Sequence, residues 1–164
     1  MVKERVGAME TKVLTPEHTQ AYHGLMVMAL QQFPADFEAS HIKDLQQLNG
    51  LLFGAFNDKD DLIGVVGLRQ EQLLKTRHKG LIWGLYVSTG YQGSGVGKGL
   101  LEAALTHARG LSGLEQLYLV VGEHNTRARR LYESLGFKPF GLEPRELKVA
   151  GKLYNGVHMW LKLK

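Results

Sequence analysis

The chain has 164 residues, of which 44% are apolar, and it carries a net charge of +4 with a pI near 9.3. This length and apolar content predict one folded domain over 1–164 and exclude a disordered chain. No apolar run approaches the roughly 18 residues of a membrane span, and the charged segment 1–10 lacks the apolar core of a secretory signal. We therefore expect a soluble cytoplasmic protein with no membrane contact.

Residue types further limit the chemistry. The chain has no cysteine, which excludes disulfides, thiolate zinc sites and cysteine nucleophiles. No two of its seven histidines are four positions apart, so we expect no metal. The basic charge favours acidic partners, including nucleic acid, anionic lipid and phosphorylated cofactors. Nucleic acid is the less favoured of these, because lysine and arginine are scattered and cluster only at Arg127, Arg129 and Arg130.

The first half of the chain predicts two helices within a strand-rich region. A strand over 9–15 leads into a helix over 16–31, because Thr15 and Pro16 form a favourable helix start. A second, less regular helix is expected over 37–49. Two strands over 51–56 and 62–68 follow, joined by a polar hairpin turn.

The second half predicts a strand, a glycine loop, a helix and another strand. The nearly continuous apolar run 80–87 is typical of a strand buried on both faces. Apolar positions at helical spacing predict a helix over 96–110, and a strand follows over 117–121. Such a crossover is right-handed, so the two strands should be parallel. His124 and Asn125 then open a helix that ends at Gly136.

The C-terminal part predicts an extended segment over 146–149, a turn at 150–151 and a strand over 154–163. No repeat, low-complexity tract or linker is visible. We predict an α/β protein of layered α+β type, with a mixed sheet and helices on both faces.

Four glycines lie within the seven positions 93–99, between a predicted strand and a predicted helix. Glycine lets the backbone approach a ligand closely, and the N–H groups that open a helix attract anions, so this loop should hold phosphate. A Walker A loop would need glycine at Gln92 and a hydroxyl at Gly99. The dinucleotide pattern Gly-x-Gly-x-x-Gly fails as well. The pattern that fits is Gln92-x-x-Gly95-x-Gly97.

That pattern resembles the acetyl-CoA pyrophosphate loop of the GCN5-related N-acetyltransferases (GNAT), which reads Gln/Arg-x-x-Gly-x-Gly/Ala. The segment Asn125-x-x-Ala128-x-x-Leu131-Tyr132, followed by Gly136 and Phe137, is similar to the second acetyl-CoA segment of that family. The resemblance implies a mostly antiparallel central sheet of about seven strands, with a parallel, splayed pair at 81–87 and 117–121. It also implies acetyl-CoA as cosubstrate and a primary amine as acceptor. We expect a monomer or homodimer.

The resemblance also implies the site residues. Leu85 and Val87 would present backbone groups to the pantetheine arm, Asn125 would hydrogen-bond the cosubstrate, and Ala128 would leave room for it. The cofactor-binding set it predicts is Leu85, Tyr86, Val87, Gln92, Gly93, Ser94, Gly95, Val96, Gly97, Lys98, Asn125, Ala128 and Tyr132. Tyr86, with Trp83, is also expected to line the acceptor cleft, although Trp83 fits the core equally well.

Acetyl transfer to an amine needs an acid for the departing thiolate and a base for the ammonium. The resemblance implies that Tyr132 points its hydroxyl at the sulfur, and its unperturbed pKa of about 10 keeps it protonated near neutrality. The backbone N–H of Val87 could meet charge on the carbonyl oxygen. No carboxylate lies in 81–87, so Glu71 and Glu123 are the candidate bases, acting through water. A non-catalytic acyl-CoA-binding module and a basic nucleic-acid-binding domain remain the alternatives.

Overall fold

A mixed sheet of seven strands organises the chain, as predicted. The structure is a computed structural model, described here for residues 9–36 and 49–164. The strands are β1 (Glu10–Val13), β2 (Leu51–Phe56), β3 (Leu62–Gln70), β4 (Lys79–Val87), β5 (Gln116–Gly122), β6 (Lys138–Val149) and β7 (Lys152–Lys162). Their order across the sheet is β1-β2-β3-β4-β5-β7-β6. All neighbours are antiparallel except β4 and β5, which are parallel.

The parallel pair separates soon after it forms. Only Lys79, Gly80 and Leu81 of β4 pair with β5, opposite the segment 116–118. Beyond Leu81 the two strands diverge, which confirms the predicted splay. The prediction that β4 is buried on both faces is wrong, because only three of its residues, Gly80, Ile82 and Tyr86, are buried. The partly exposed residues include Trp83, Gly84, Leu85 and Val87, which lie where β4 keeps β3 as a neighbour but no longer pairs with β5.

In the described ranges 9–36 and 49–164, three α-helices cover the two faces of the sheet. They are α1 (Thr19–Gln32), α2 (Val96–Gly110) and α3 (Thr126–Ser134), and a short 3₁₀ turn at Pro16–His18 precedes α1. Helix α1 buries Tyr22, Leu25, Met26 and Ala29 in a core on one face of the sheet. The apolar stripe of α2 and Tyr132 of α3 belong to the core on the other face. The helix expected over 37–49 lies outside the described residues, except for its last position.

Strand β6 is the main difference from the predicted fold. The sequence predicted an extended segment only from residue 146, whereas β6 begins at Lys138 and runs for 12 residues. Pro139 and Pro144 argue against a strand in the sequence before residue 146, because proline is disfavoured within a sheet. They are tolerated because β6 is the outermost strand, pairs only with β7, and shifts register at two places.

Candidate functional site

A cavity of about 400 Å³ opens where β4 parts from β5, next to the start of α2 and one side of α3. Its walls are formed by Phe33, Asp36, Leu85, Tyr86, Val87, Tyr91, Gln92, Gly93, Gly95, Gly97, Lys98, Asn125, Arg127, Ala128 and Leu131. Ten of the predicted cofactor-binding residues lie in this wall: Leu85, Tyr86, Val87, Gln92, Gly93, Gly95, Gly97, Lys98, Asn125 and Ala128. The sequence motifs therefore converge on one cavity.

The glycine loop presents the N-terminus of α2 to the cavity. Gly95 is the N-cap of α2, with a φ of +90°, a conformation that glycine adopts without penalty. The first-turn N–H groups of an α-helix have no partner within the helix. Because Gly95, Gly97 and Lys98 line the cavity, this end of α2 offers backbone donors and a partial positive charge to an anion there.

Arg127 adds a cation that the sequence did not assign. Its Nη1 lies 3.5 Å from Oε1 of Gln92, and a Cβ on Gly93 would lie 3.1 Å from its Nη2. The guanidinium thus lies over the loop, and Arg127 and Lys98 both line the cavity. The Nε2 of Gln92 in turn donates to the Val87 carbonyl at 2.9 Å, which ties the loop to β4. The sequence offered one sign that Arg127 belongs to the site, namely its position two residues after Asn125.

A β-bulge shapes the strand side of the cavity. Tyr86 pairs with Val65 and Trp83 pairs with Gly67, so Gly84 and Leu85 together stand opposite the single residue Val66. Gly84 has a φ of +65°, which this bulge requires. The extra residue turns the end of β4, the segment 84–87, towards the cavity, and Leu85, Tyr86 and Val87 all line it.

Tyr86 and Trp83 differ in their surroundings. The Tyr86 hydroxyl donates to Oε1 of Gln32, at the end of α1, at 2.6 Å, and the ring lines the cavity. Burial raises the pKa of Tyr86 above its usual value. Trp83 instead packs against the core beneath α1, where a Cβ on Gly67 would lie 2.2 Å from its ring.

Helix α3 forms the opposite wall. The Asn125 side chain accepts a hydrogen bond from the Ala128 N–H at 3.2 Å, so Asn125 caps the helix while it also lines the cavity. The small side chain of Ala128 leaves space at this wall. Capping and ligand contact are compatible, since the cap uses only Oδ1 of the amide.

Tyr132 lies one helical turn further along α3, behind the lining residues. Its side chain is 8% exposed and packs edge-on against Phe137. Burial raises its pKa well above the usual value, and the negative charge of Asp36 raises it further. Tyr132 is not among the residues that line the cavity, whereas Asp36 is.

Asp36 itself belongs to a pair that sequence reasoning missed. Its Oδ1 lies 2.8 Å from Nε2 of His124, in the turn between β5 and α3. The ring of His124 packs against Tyr154 of β7, with 5.0 Å between centroids. No motif links positions 36 and 124, which are brought together only because α1 and β5 end at the same edge of the sheet.

Four other predicted residues lie outside the cavity wall. Ser94 is exposed, and its hydroxyl donates to the Tyr91 carbonyl, whereas Val96 is buried in the core beneath α2. Glu71 accepts a hydrogen bond from Tyr118, close to the end of β4 furthest from the bulge. The exposed Glu123 accepts a hydrogen bond from Nδ2 of Asn155 at 2.8 Å. Neither carboxylate is brought to the cavity.

The cavity thus combines two chemical environments. One end has a helix N-terminus, Lys98 and Arg127, which suit a phosphorylated ligand. The rest is a mainly apolar gap between two diverging strands, with unpaired strand edge on the β4 side and with Tyr86 and Asp36 in its wall. This arrangement can hold an elongated ligand by its phosphates and direct the other end between the strands.

Curated relatives match over parts of the chain. A mycothiol acetyltransferase of Thermobispora bispora is 54% identical over 46 residues, which are 28% of this chain and 15% of the relative. The spermine/spermidine N(1)-acetyltransferase of Bacillus subtilis is 36% identical over 61 residues, which are 36% of this chain and 40% of the relative. The chain therefore spans well under two thirds of the curated relatives that it matches.

Structural similarity covers nearly the whole chain. A putative acetyltransferase from Salmonella typhimurium, solved with its cofactor acetyl-CoA, superposes with a TM-score of 0.82 and 18% identity, over 96% of this chain and 95% of that one. Within the described residues, no helix has both the length and the apolar character needed to cross a membrane. The sequence model of the Acetyltransferase (GNAT) family matches residues 18–137, and the chain belongs to that family.

Proposed function

We propose that this chain transfers an acetyl group from acetyl-CoA to a primary amine of a small molecule or protein, in a direct ternary complex. The observation that carries the proposal is the convergence of the glycine loop, the splayed strands and α3 on one cavity. Family membership supports the reaction class. A monomer or homodimer suffices, since the cavity is built within one chain.

The cavity fits the cosubstrate at both ends. The pyrophosphate would accept hydrogen bonds from the first turn of α2 and face Lys98 and Arg127, which complement its charge. The bulged end of β4 would present the backbone of Leu85 and Val87 to the pantetheine arm. A Cβ on Gly97 would already lie 3.3 Å from the Leu131 side chain, so the loop leaves little spare room at this wall.

Tyr132 is the proposed general acid. Its raised pKa keeps the phenol protonated, so the proton is present when the thiolate departs, while the same shift makes the phenol a weaker proton donor than a free tyrosine. Tyr132 follows the lining residue Ala128 by one turn of α3, which supports a place for its phenol near the cavity. The backbone N–H of Val87 is the proposed partner of the carbonyl oxygen. Glu71 and Glu123 remain sequence-based candidates for the base, acting through water.

An amine screen with acetyl-CoA tests the reaction, and Tyr132→Phe tests the acid. We expect Tyr132→Phe to lower kcat at least tenfold, because it removes only the proton donor. Acetyl-CoA affinity, measured by calorimetry, should stay nearly unchanged. Unchanged turnover would remove Tyr132 as the acid. Binding of acetyl-CoA without transfer to any amine would instead indicate a non-catalytic acyl-CoA-binding module.

A further inference from the structure

The turn that follows α1, residues 33–36, connects the ends of β4 and β5 across the gap between them. The Asp36 N–H donates to the Phe33 carbonyl at 3.0 Å, which closes the turn. The ring of Phe33 packs edge-on against Tyr86 of β4, with 6.3 Å between centroids. At the other end, a Cβ on Gly122, the last residue of β5, would lie 3.2 Å from Oδ1 of Asp36. Phe33 and Asp36 both line the cavity, so this turn is one of its walls.

This wall lies across the gap from the phosphate-binding loop. Tyr86 belongs to the core beneath α1, whereas Val121 of β5 belongs to the core beneath α2. Because neighbouring residues of a strand face opposite sides, the side of Gly122 that Asp36 contacts faces α1. The glycine loop opens α2, on the other face of the sheet. An acetyl-CoA held by that loop would leave the α1 side of the gap for the acceptor.

Asp36 differs in charge from the rest of the cavity wall. Within the described ranges, the wall residues with a formal charge are Asp36, Lys98 and Arg127. Lys98 lies in the first turn of α2 and Arg127 lies over the glycine loop, so both cations face the site proposed for the phosphates. The phosphates would neutralise them. The charge that remains for the acceptor is the carboxylate of Asp36.

Oδ1 of Asp36 is held against the end of β5. The atom is buried, and none of the described residues donates a hydrogen bond to it. Nε2 of His124 lies 2.8 Å away, but this contact does not have hydrogen-bond geometry. The Asp36 side chain keeps 15% exposure, so Oδ2 is the oxygen that a ligand can reach. Because a poorly compensated carboxylate is costly to bury, an N–H that bonds Oδ2 would stabilise the charge, and a second carboxylate beside it would be repelled.

We infer that Asp36 is the specificity-determining residue of the acceptor site. Its carboxylate accepts a hydrogen bond from the acceptor amine and repels acceptors that carry a carboxylate beside that amine. This inference rests on the proposed function and names a substrate class for it, primary amines without a neighbouring carboxylate rather than free α-amino acids. The rings of Phe33 and Tyr86 provide apolar surface for the alkyl part of such an amine. Asp36 binds the substrate and takes no part in the proton transfers.

Three acceptors that differ at one group test this inference: L-leucine, L-leucinamide and 3-methylbutylamine. They share a primary amine and an alkyl chain, and the group beside the amine is a carboxylate, a neutral amide or hydrogen. The test measures kcat/KM for each at about pH 8, above the range in which imidazoles normally titrate. We expect wild type to prefer leucinamide and the alkylamine over leucine by roughly tenfold or more. A compound that turns over too slowly is compared as an inhibitor of the best acceptor from the amine screen.

Asp36→Asn removes the charge and keeps the size of the side chain. The preference for leucinamide over leucine should fall roughly tenfold or more, and the ratio of two acceptors cancels their intrinsic reactivity between variants. Asp36→Glu keeps the charge, so its preference should fall less than about threefold. Acetyl-CoA affinity by calorimetry should change less than about twofold in both variants, since Asp36 lies across the gap from the phosphate-binding loop. Asp36→Ser replaces Asp36→Asn if that variant does not fold.

Glu143 provides a matched control, because it is also a carboxylate beside a histidine, with Oε2 2.7 Å from Nε2 of His158, but lies outside the cavity wall. Glu143→Gln removes the same charge and should keep the wild-type preference. An equal fall in Glu143→Gln and Asp36→Asn would overturn the inference, because net charge alone would then explain it. Equal use of leucine and leucinamide by wild type, or an unchanged preference in Asp36→Asn, would overturn it as well. These results would not affect the proposed function, which fails if wild type acetylates no amine.

Discussion

Replacing Gly95 by alanine separates backbone strain from ligand binding at the phosphate loop. Gly95 has a φ of +90°, and a Cβ there would meet nothing within 4 Å. The cost to the fold is therefore purely conformational, about 1–2 kcal/mol for an L-residue in this region. For a chain of this length that corresponds to a fall in Tm of roughly 2–8 °C.

The effect on ligand binding should be larger than the strain alone explains. If the backbone relaxes to relieve alanine, the first N–H groups of α2 turn away from the cavity. Each lost hydrogen bond to a charged phosphate costs about 1.5–3 kcal/mol. We expect acetyl-CoA to bind roughly 10- to 150-fold more weakly per bond lost, as measured by calorimetry.

Gly113 provides a matched control for this experiment. It has a φ of +76°, a Cβ there would also meet nothing within 4 Å, and it lies outside the cavity wall. Gly113→Ala should therefore lose similar stability while it keeps the wild-type affinity. Equal affinities for acetyl-CoA in Gly95→Ala and Gly113→Ala would refute the assignment of the loop as the phosphate site.

Two further predictions concern charge and packing. Arg127→Gln should weaken acetyl-CoA binding roughly tenfold and reduce its salt dependence, whereas Arg130→Gln on the same helix, outside the cavity wall, should do neither. Calorimetry at two salt concentrations measures the acetyl-CoA affinity of both variants. Equal losses of affinity in Arg127→Gln and Arg130→Gln would contradict a contact between Arg127 and the phosphates. Gly67→Ala should cost about 2–3 kcal/mol in urea unfolding, because its Cβ would lie 2.2 Å from the rigid Trp83 ring. Gly24→Ala, exposed in α1 with nothing within 4 Å, should instead stabilise by about 0.5–1 kcal/mol, and the opposite order would disprove the packing account.

Local sequence patterns predicted the parts of the fold that depend on local rules. The glycine loop, the helix that follows it and the parallel crossover were predicted correctly, because each depends on spacing within a short stretch. The start of β6 was missed because Pro139 and Pro144 are acceptable only at the edge of a sheet. Edge position is a property of the completed topology, and no local pattern shows it.

The residues of the candidate site also fall into two groups, those that a local motif positions and those that only the completed fold brings together. Gly95, Gly97, Asn125 and Ala128 line the cavity as the motifs predicted, since a motif fixes residues relative to their own helix. The pair between Asp36 and His124 depends on where two distant elements end, so spacing carried no sign of it. Glu71 shows the reverse case, because closeness in sequence to β4 placed it near the wrong end of that strand.

The short parallel pairing between β4 and β5 has a mechanical consequence. The sheet consists of two antiparallel halves. One contains β1, β2, β3 and β4, and the other contains β5, β7 and β6. Three residue pairs between β4 and β5 join the strands of the two halves. A ligand that fills the splay would act as a substitute for the missing strand contacts and couple the two halves. Amide hydrogen exchange in 82–87 and 119–122 should therefore slow together when acetyl-CoA binds, and the two halves should unfold more cooperatively.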